Sequence, residues 1–256
     1  MTDVDSAFLL TQMTSRQVDA AIARGRTTVV VPFGALEQHG PHLPLDTDAI
    51  LGDRLGPMLA QRLNALCAPT MRVGCSWHHL AFAGTLSIRP ETLLMIVEDL
   101  LDSLTRHGFR RIVLLPTHGG NEGPLLKAAR RSKRDAVTII VPSLRATVEA
   151  LLSRAKSHGA VPGDAGGHAG ELETSLMLAV APNLVKVELI EPGHTGPLND
   201  AAVALFFGKG VHALSANGVL GDPRGASAEA GRAYIAAFLD ATQAAVEREA
   251  RTVDLR

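Results

Sequence analysis

Apolar positions along the chain follow two alternating rhythms. Short runs from Thr27 to Phe33, Thr70 to Cys75, Arg111 to Pro116 and Val137 to Val141 are rich in β-branched or aliphatic residues, as a strand covered on both faces requires. Between them the hydrophobic spacing widens to three and four. "AILGDRLGPMLAQRLNAL" (49–66) and "PETLLMIVEDLLDSLTRHG" (90–108) read as crossover helices, the second bounded by Pro90 and Gly108, which suit a first helical turn and a helix end. "SAEAGRAYIAAFLDATQAAVEREA" is a further amphipathic helix with Ser227 as its cap. This order predicts an α/β fold, a three-layer α/β/α sandwich around a mainly parallel sheet. No repeat, low-complexity tract or long linker interrupts it, so residues 1–256 are expected to form a single domain.

Composition narrows the function. A formal net charge of -1 gives no electrostatic case for binding nucleic acid or an anionic membrane, so the expected partner is a small molecule. Cys67 and Cys75 lack the CxxC spacing of a cysteine zinc site. "MTDVDSAFLLTQMTSRQ" has no basic region followed by an apolar stretch, and no run approaches the ~18 apolar residues that span a bilayer. A reduced cytoplasm is the expected location.

Chemistry gathers where the strands end. Ligand sites in open α/β sheets lie beyond the carboxyl ends of the strands, and "EQHGPHLPLDTD", "HHLAFAGT" and "THGGNEG" each follow one. Glu37 and His39 are two apart, on one side of an extended backbone, with Asp48 a short turn away and His118 after the third strand. Carboxylate and imidazole together suit zinc, manganese or iron(II), and a carboxylate can bridge two ions. "GGHAGELETSLMLAVAP" adds His168 and Glu173 on a glycine-rich entry into a helix ending before Pro182. Glu171 and Glu173 face different ways on that helix, so one of them at most is expected in a compact site. Trp77, His78 and His79 either line a substrate pocket or cap a strand end, and His42 reads as a loop-stabilising residue.

"EQHGPHLPLDTD", "FAGTLSI", "THGGN", "HAGELETSLMLAVAPNLV" and "LGDP" resemble, in order and spacing, the creatininase family of metal-dependent amidohydrolases. The resemblance implies a homo-oligomer, a hexamer by family habit, that hydrolyses C–N bonds of small amides or peptide-like substrates with two divalent ions per chain, zinc with manganese or iron. By motif position Glu37, Asp48 and His118 would hold one ion and His39 and Asp48 the other, with His168 as proton shuttle. Creatinine-hydrolysing members carry a glutamate ligand where this chain has Gly120, and Glu173 is the candidate replacement, Glu122 the second choice. No tryptophan clamp is available near the fourth motif, which disfavours creatinine; Asp164 and "THGGN" look more like the formamide hydrolase and peptidase branches. The alternative is a metal-binding scaffold of the same fold without turnover.

Overall fold

The computed structural model describes residues 8–134, 136–157, 167–196 and 199–254. Its elements run α1 (Ser15–Ala23), β1 (Thr28–Phe33), α2 (Thr47–Arg62), β2 (Leu66–Cys67), α3 (Pro90–Arg106), β3 (Arg111–Pro116), α4 (Gly119–Arg131), β4 (Thr138–Ile140), α5 (Leu144–Ser157), α6 (Glu171–Val180), α7 (Asp200–Lys209) and α8 (Ala228–Asp254), with short 3-10 turns between. The four strands form a parallel sheet in the order β2-β1-β3-β4. Period-two alternation sorts their side chains: Val29, Val31, Phe33, Ile112 and Leu114 enter one core with α3 and α4, while Val30, Val113 and Leu115 enter the other with α2, α6 and α8. Both faces are covered, which explains the unbroken apolar runs of β1 and β3 and makes the fold the expected α/β/α sandwich. No helix among the described residues is long and apolar enough to cross a membrane.

Two expected boundaries shift. The second strand is Leu66–Cys67, starting at the last residue of the stretch read as a helix, and α2 stops at Arg62. Of the run Thr70 to Cys75, only Met71 bridges to the sheet, opposite Phe33. Beyond it the backbone bonds elsewhere: the Cys75 amide donates to Asn121 Oδ1 at 3.0 Å, and Gly74 accepts from Ile88. A side chain from α4 therefore replaces the strand ladder there. Helix ends obey the local rules. Pro90 opens α3, Gly108 follows it at φ +98°, and Ser227 Oγ accepts from the Ala230 amide at the start of α8.

The feature that positions the site is the tight seat of α2 on the end of β1. A Cβ at Gly34 would lie 2.7 Å from Ala49 Cα, a backbone atom, so helix and strand end meet with no side chain between them. That contact sets Asp48, in the first turn of α2, beside the segment that follows β1. Gly34→Ala is expected to destabilise the chain by about 1–3 kcal/mol, the usual cost of overpacking, read as a lower urea midpoint. An unchanged midpoint would mean that α2 can move freely at this contact.

Candidate metal centre

Three chain segments leave the sheet at the same rim and are tied together there. The Asn121 amide donates to the carbonyls of Phe33 (3.2 Å) and Gly34 (2.9 Å) while its oxygen takes the Cys75 amide. Thr117 Oγ1 donates to the Asp48 carbonyl at 2.8 Å. These bonds link the ends of β1 and β3 with the first turn of α2. Neither Asn121 nor Thr117 was assigned a role from sequence, because a polar residue that staples backbone looks like any loop residue until its partners are known.

Within this frame Glu37, His39, Asp48 and His118 are all buried. His39 Nδ1 donates to the Glu37 carbonyl at 3.1 Å, which leaves its Nε2 as a lone pair. That lone pair faces Asp48 Oδ1 at 3.4 Å and Glu173 Oε2 at 3.9 Å. His118 is arranged in the same way: Nε2 donates to the Cys75 carbonyl at 3.1 Å, and Nδ1 faces Asp48 Oδ2 at 3.2 Å. Among the described residues Glu37 Oε2, Asp48 Oδ2 and His39 Nε2 have no hydrogen-bond partner. Buried lone pairs aimed at buried lone pairs need a positive charge between them. Imidazole and carboxylate in this combination fit a divalent ion of the zinc, manganese or iron(II) kind.

Among the described residues three groups of three have ligand atoms within 4.8 Å of one another: Glu37, Asp48 and His118; His39, Asp48 and Glu173; and Glu37, His39 and His168. Asp48 belongs to the first two, one oxygen turned toward each histidine. Charge balance without metal follows from the geometry. Burial alone would lower His39, but Asp48, with Glu173 and Glu37, raises it to about 10. Burial likewise opposes His118, which Glu37 and Asp48 lift to about 9. Glu37 is pushed up to about 7 by burial, and burial raises Glu173 as well. Asp48, which burial would raise, is held well below the carboxylate range by His39 and His118. Protons on the two histidines balance the charge of the carboxylates.

The other expected site residues divide. His168, His78 and His79 join Glu37, Asp48, His118 and Glu173 around a cavity of about 450 Å³. His79 Nε2 lies 3.3 Å and His168 Nδ1 3.7 Å from Glu37 Oε1. Trp77 does not line that cavity among the described residues; its ring stands edge-on to His78 and is 46% exposed. Glu122 is drawn away, its Oε1 accepting the Leu144 amide at the start of α5 (2.8 Å), and Glu171 is held by Ser175 and Tyr234 on the side of α8. Asp164 lies outside the described residues. His42 does the structural work expected of it, with Nε2 on Thr174 Oγ1 at 2.8 Å. Gly120 is explained by crowding: a Cβ there would fall 2.0 Å from the Cys75 carbonyl oxygen and 2.6 Å from His118 Nε2, so no glutamate fits without displacing the bond that orients His118.

A pH prediction follows. His39 and His118 have folded-state pKa values raised above the ordinary 6.5. Their contribution to stability is complete below about pH 6.5 and is lost as pH rises through about 9 and 10. Metal-free protein is therefore expected to melt at progressively lower temperature from pH 7 to 10, and zinc to flatten that dependence. A melting temperature independent of pH in the metal-free protein would contradict the buried charge arrangement.

Comparison with known proteins agrees with this geometry. The sequence signature of the creatininase family, described as creatinine amidohydrolase, matches residues 11–246. The mycofactocin precursor peptide peptidase of Mycobacterium ulcerans (strain Agy99) is 35% identical over 225 residues, 83% of this chain and 82% of that protein. Creatinine amidohydrolase of Pseudomonas putida is 29% identical over 193 residues, covering 70% and 74%. Among solved structures, a creatinine amidohydrolase (creatininase) superposes with a TM-score of 0.80 at 29% identity over 94% of this chain and 97% of that one, and a manganese form of creatininase gives the same TM-score at 28% identity. With its signature matched almost end to end and its metal-capable residues gathered at one sheet rim, the chain belongs to the creatininase family of amidohydrolases.

Proposed function

We propose that the chain is a binuclear metal-dependent hydrolase of C–N amide bonds. Glu37, Asp48 and His118 hold one divalent ion, His39, Asp48 and Glu173 the other, with Asp48 shared. The observation that carries this reading is the opposition of buried, unpartnered lone pairs on both sides of Asp48. Bound divalent ions of the zinc, manganese or iron(II) class supply an acidified water and a polarised carbonyl.

His168 handles the proton. Its Nε2 lies 2.7 Å from the Gln38 carbonyl and donates to it, so Nδ1 is the free base and faces Glu37 in the cavity. Burial, then the neighbouring His39, holds its pKa well below the ordinary histidine value, which keeps it neutral and able to accept. His168 Nδ1 takes a proton from the attacking water and returns it to the leaving nitrogen, without which the tetrahedral intermediate cannot collapse to products.

The apolar part of the cavity lining supports a substrate class. Leu144 and Val148 of α5, Phe206 of α7 and Leu220 line the cavity, and its volume is in the range of small-ligand sites. An amide with an apolar group beside the scissile bond fits that wall, as in a short peptide. The similarity to a peptidase acting on a precursor peptide supports the same class.

Zinc-loaded protein is expected to contain two ions per chain and Asp48→Ala to lose both, since each ion would lose a ligand and the charge that screens it from the other. Two ions retained in that variant would remove the shared-ligand assignment. His168→Ala is expected to lower kcat by about two to four orders of magnitude, the usual share of acid–base catalysis, at unchanged metal content. Metal lost together with activity would make His168 a ligand, in the group it forms with Glu37 and His39. Among candidate substrates, short peptides with a hydrophobic residue at the cleaved bond should be hydrolysed and creatinine should not; the opposite preference would overturn the substrate class.

A further inference from the structure

Between Glu37 and His39 stands a side chain to which the reaction above gives no work. Gln38 is buried, and backbone groups grip both ends of its amide: the Gly40 N–H donates to Oε1 at 2.9 Å, and Nε2 donates to the Gly218 carbonyl at 3.1 Å. A main-chain amide cannot accept and a main-chain carbonyl cannot donate. The orientation of the Gln38 amide is therefore fixed without reference to any imidazole. Gly218 makes the room, for at its φ of +83° a Cβ would lie 1.9 Å from Gln38 Oε1.

One Nε2 hydrogen remains, with two ring nitrogens in reach, His79 Nδ1 at 2.9 Å and His168 Nε2 at 3.0 Å. His168 Nε2 also sits 2.7 Å from the Gln38 carbonyl oxygen. Two lone pairs do not approach so closely, so that nitrogen carries a proton and cannot accept the amide hydrogen. The hydrogen goes to His79 Nδ1. An imidazole that accepts at Nδ1 holds its own proton on Nε2 when neutral, and His79 Nε2 lies 3.3 Å from Glu37 Oε1.

We propose that Gln38 is a positioning residue, whose amide fixes His79 as a hydrogen-bond donor to Glu37 Oε1 and so holds the Glu37 carboxylate with Oε2 turned toward His118. The inference rests on the reading that Glu37 holds a metal ion. Partners that orient a ligating carboxylate or histidine change metal affinity by about 10–100-fold when removed, and Gln38 acts one step further out, through the tautomer of His79.

The tautomer can be read directly. Solid-state 15N NMR of zinc-loaded protein labelled at histidine nitrogens, with the His79 signals identified by their loss in His79→Gln, is expected to show a bare Nδ1 and a protonated Nε2. The reverse assignment in a zinc-binding chain overturns the role of Gln38 alone, whereas a wild-type chain that binds no zinc overturns the metal reading as well. Gln38→Glu places an acceptor where the donor stood. It is expected to weaken zinc binding by about 10-fold or more in competition with a chelator, and to add no further loss in a His79→Gln background. Equal losses in both backgrounds would show that Gln38 acts independently of His79 and overturn the proposal. Should Gln38→Glu fail to fold, the wild-type spectrum decides by itself.

Discussion

Buried electron pairs that face one another across Asp48 are the constraint on which the rest of this structure turns. His39 and His118 each give their one proton to a main-chain carbonyl, of Glu37 and of Cys75. What remains on each ring points at a carboxylate oxygen 3.2–3.4 Å away. In water such an arrangement would rotate apart. Here the backbone carbonyls hold the rings and the carboxylates cannot reach solvent, so the strain can be relieved only by a cation or by protons drawn onto the histidines. The same residues thus make a poor protein core and a good metal-capable site.

Holding such a cluster requires a scaffold that is stiff where the cluster sits. The parallel sheet supplies it: two apolar layers on opposite faces fix β1 and β3, and Asn121 and Thr117 lock their carboxyl ends to one another and to α2. Gly34 lets the backbone of α2 lie directly on the strand end, which shortens the path from Glu37 to Asp48. The two apolar layers thus hold the strand ends from which the cluster's side chains project.

How far the sequence could be read follows from the range of each interaction. β1 and β3 were legible because a strand covered on both faces is apolar at every position, and α3 because Pro90 and Gly108 mark its ends by purely local chemistry. The run from Thr70 to Cys75 reads as a strand, but Met71 alone in it bridges to the sheet, and the Cys75 amide meets Asn121, 46 positions away, whose side-chain oxygen takes the place of a ladder carbonyl. The expectation that Glu37, His39, Asp48, His118, Glu173 and His168 share one place drew on the strand-end rule and on family resemblance together. The cavity's apolar wall is not legible in the sequence, since Leu144, Val148 and Phe206 belong to α5 and α7 and nothing local distinguishes a leucine facing a cavity from one facing the core. Gln38 is silent in the sequence for a similar reason: its meaning lies in which hydrogens its neighbours hold.

Gly120 and Glu173 belong to one geometric argument. The Cys75 carbonyl that accepts the His118 proton occupies the space into which any side chain at position 120 would project. A carboxylate for the His39 side of the cluster therefore cannot come from position 120 while His118 keeps its orientation. It comes from α6 instead, where Glu173 reaches back over the first turn, its Oε2 taking the Ala169 amide and facing His39. This exchange leaves the start of α4 bare at Gly119 and Gly120, and the cavity extends over those glycines toward Leu144 and Val148. The bond that holds His118 in place and the bare glycine that lines the cavity are consequences of the same close contact.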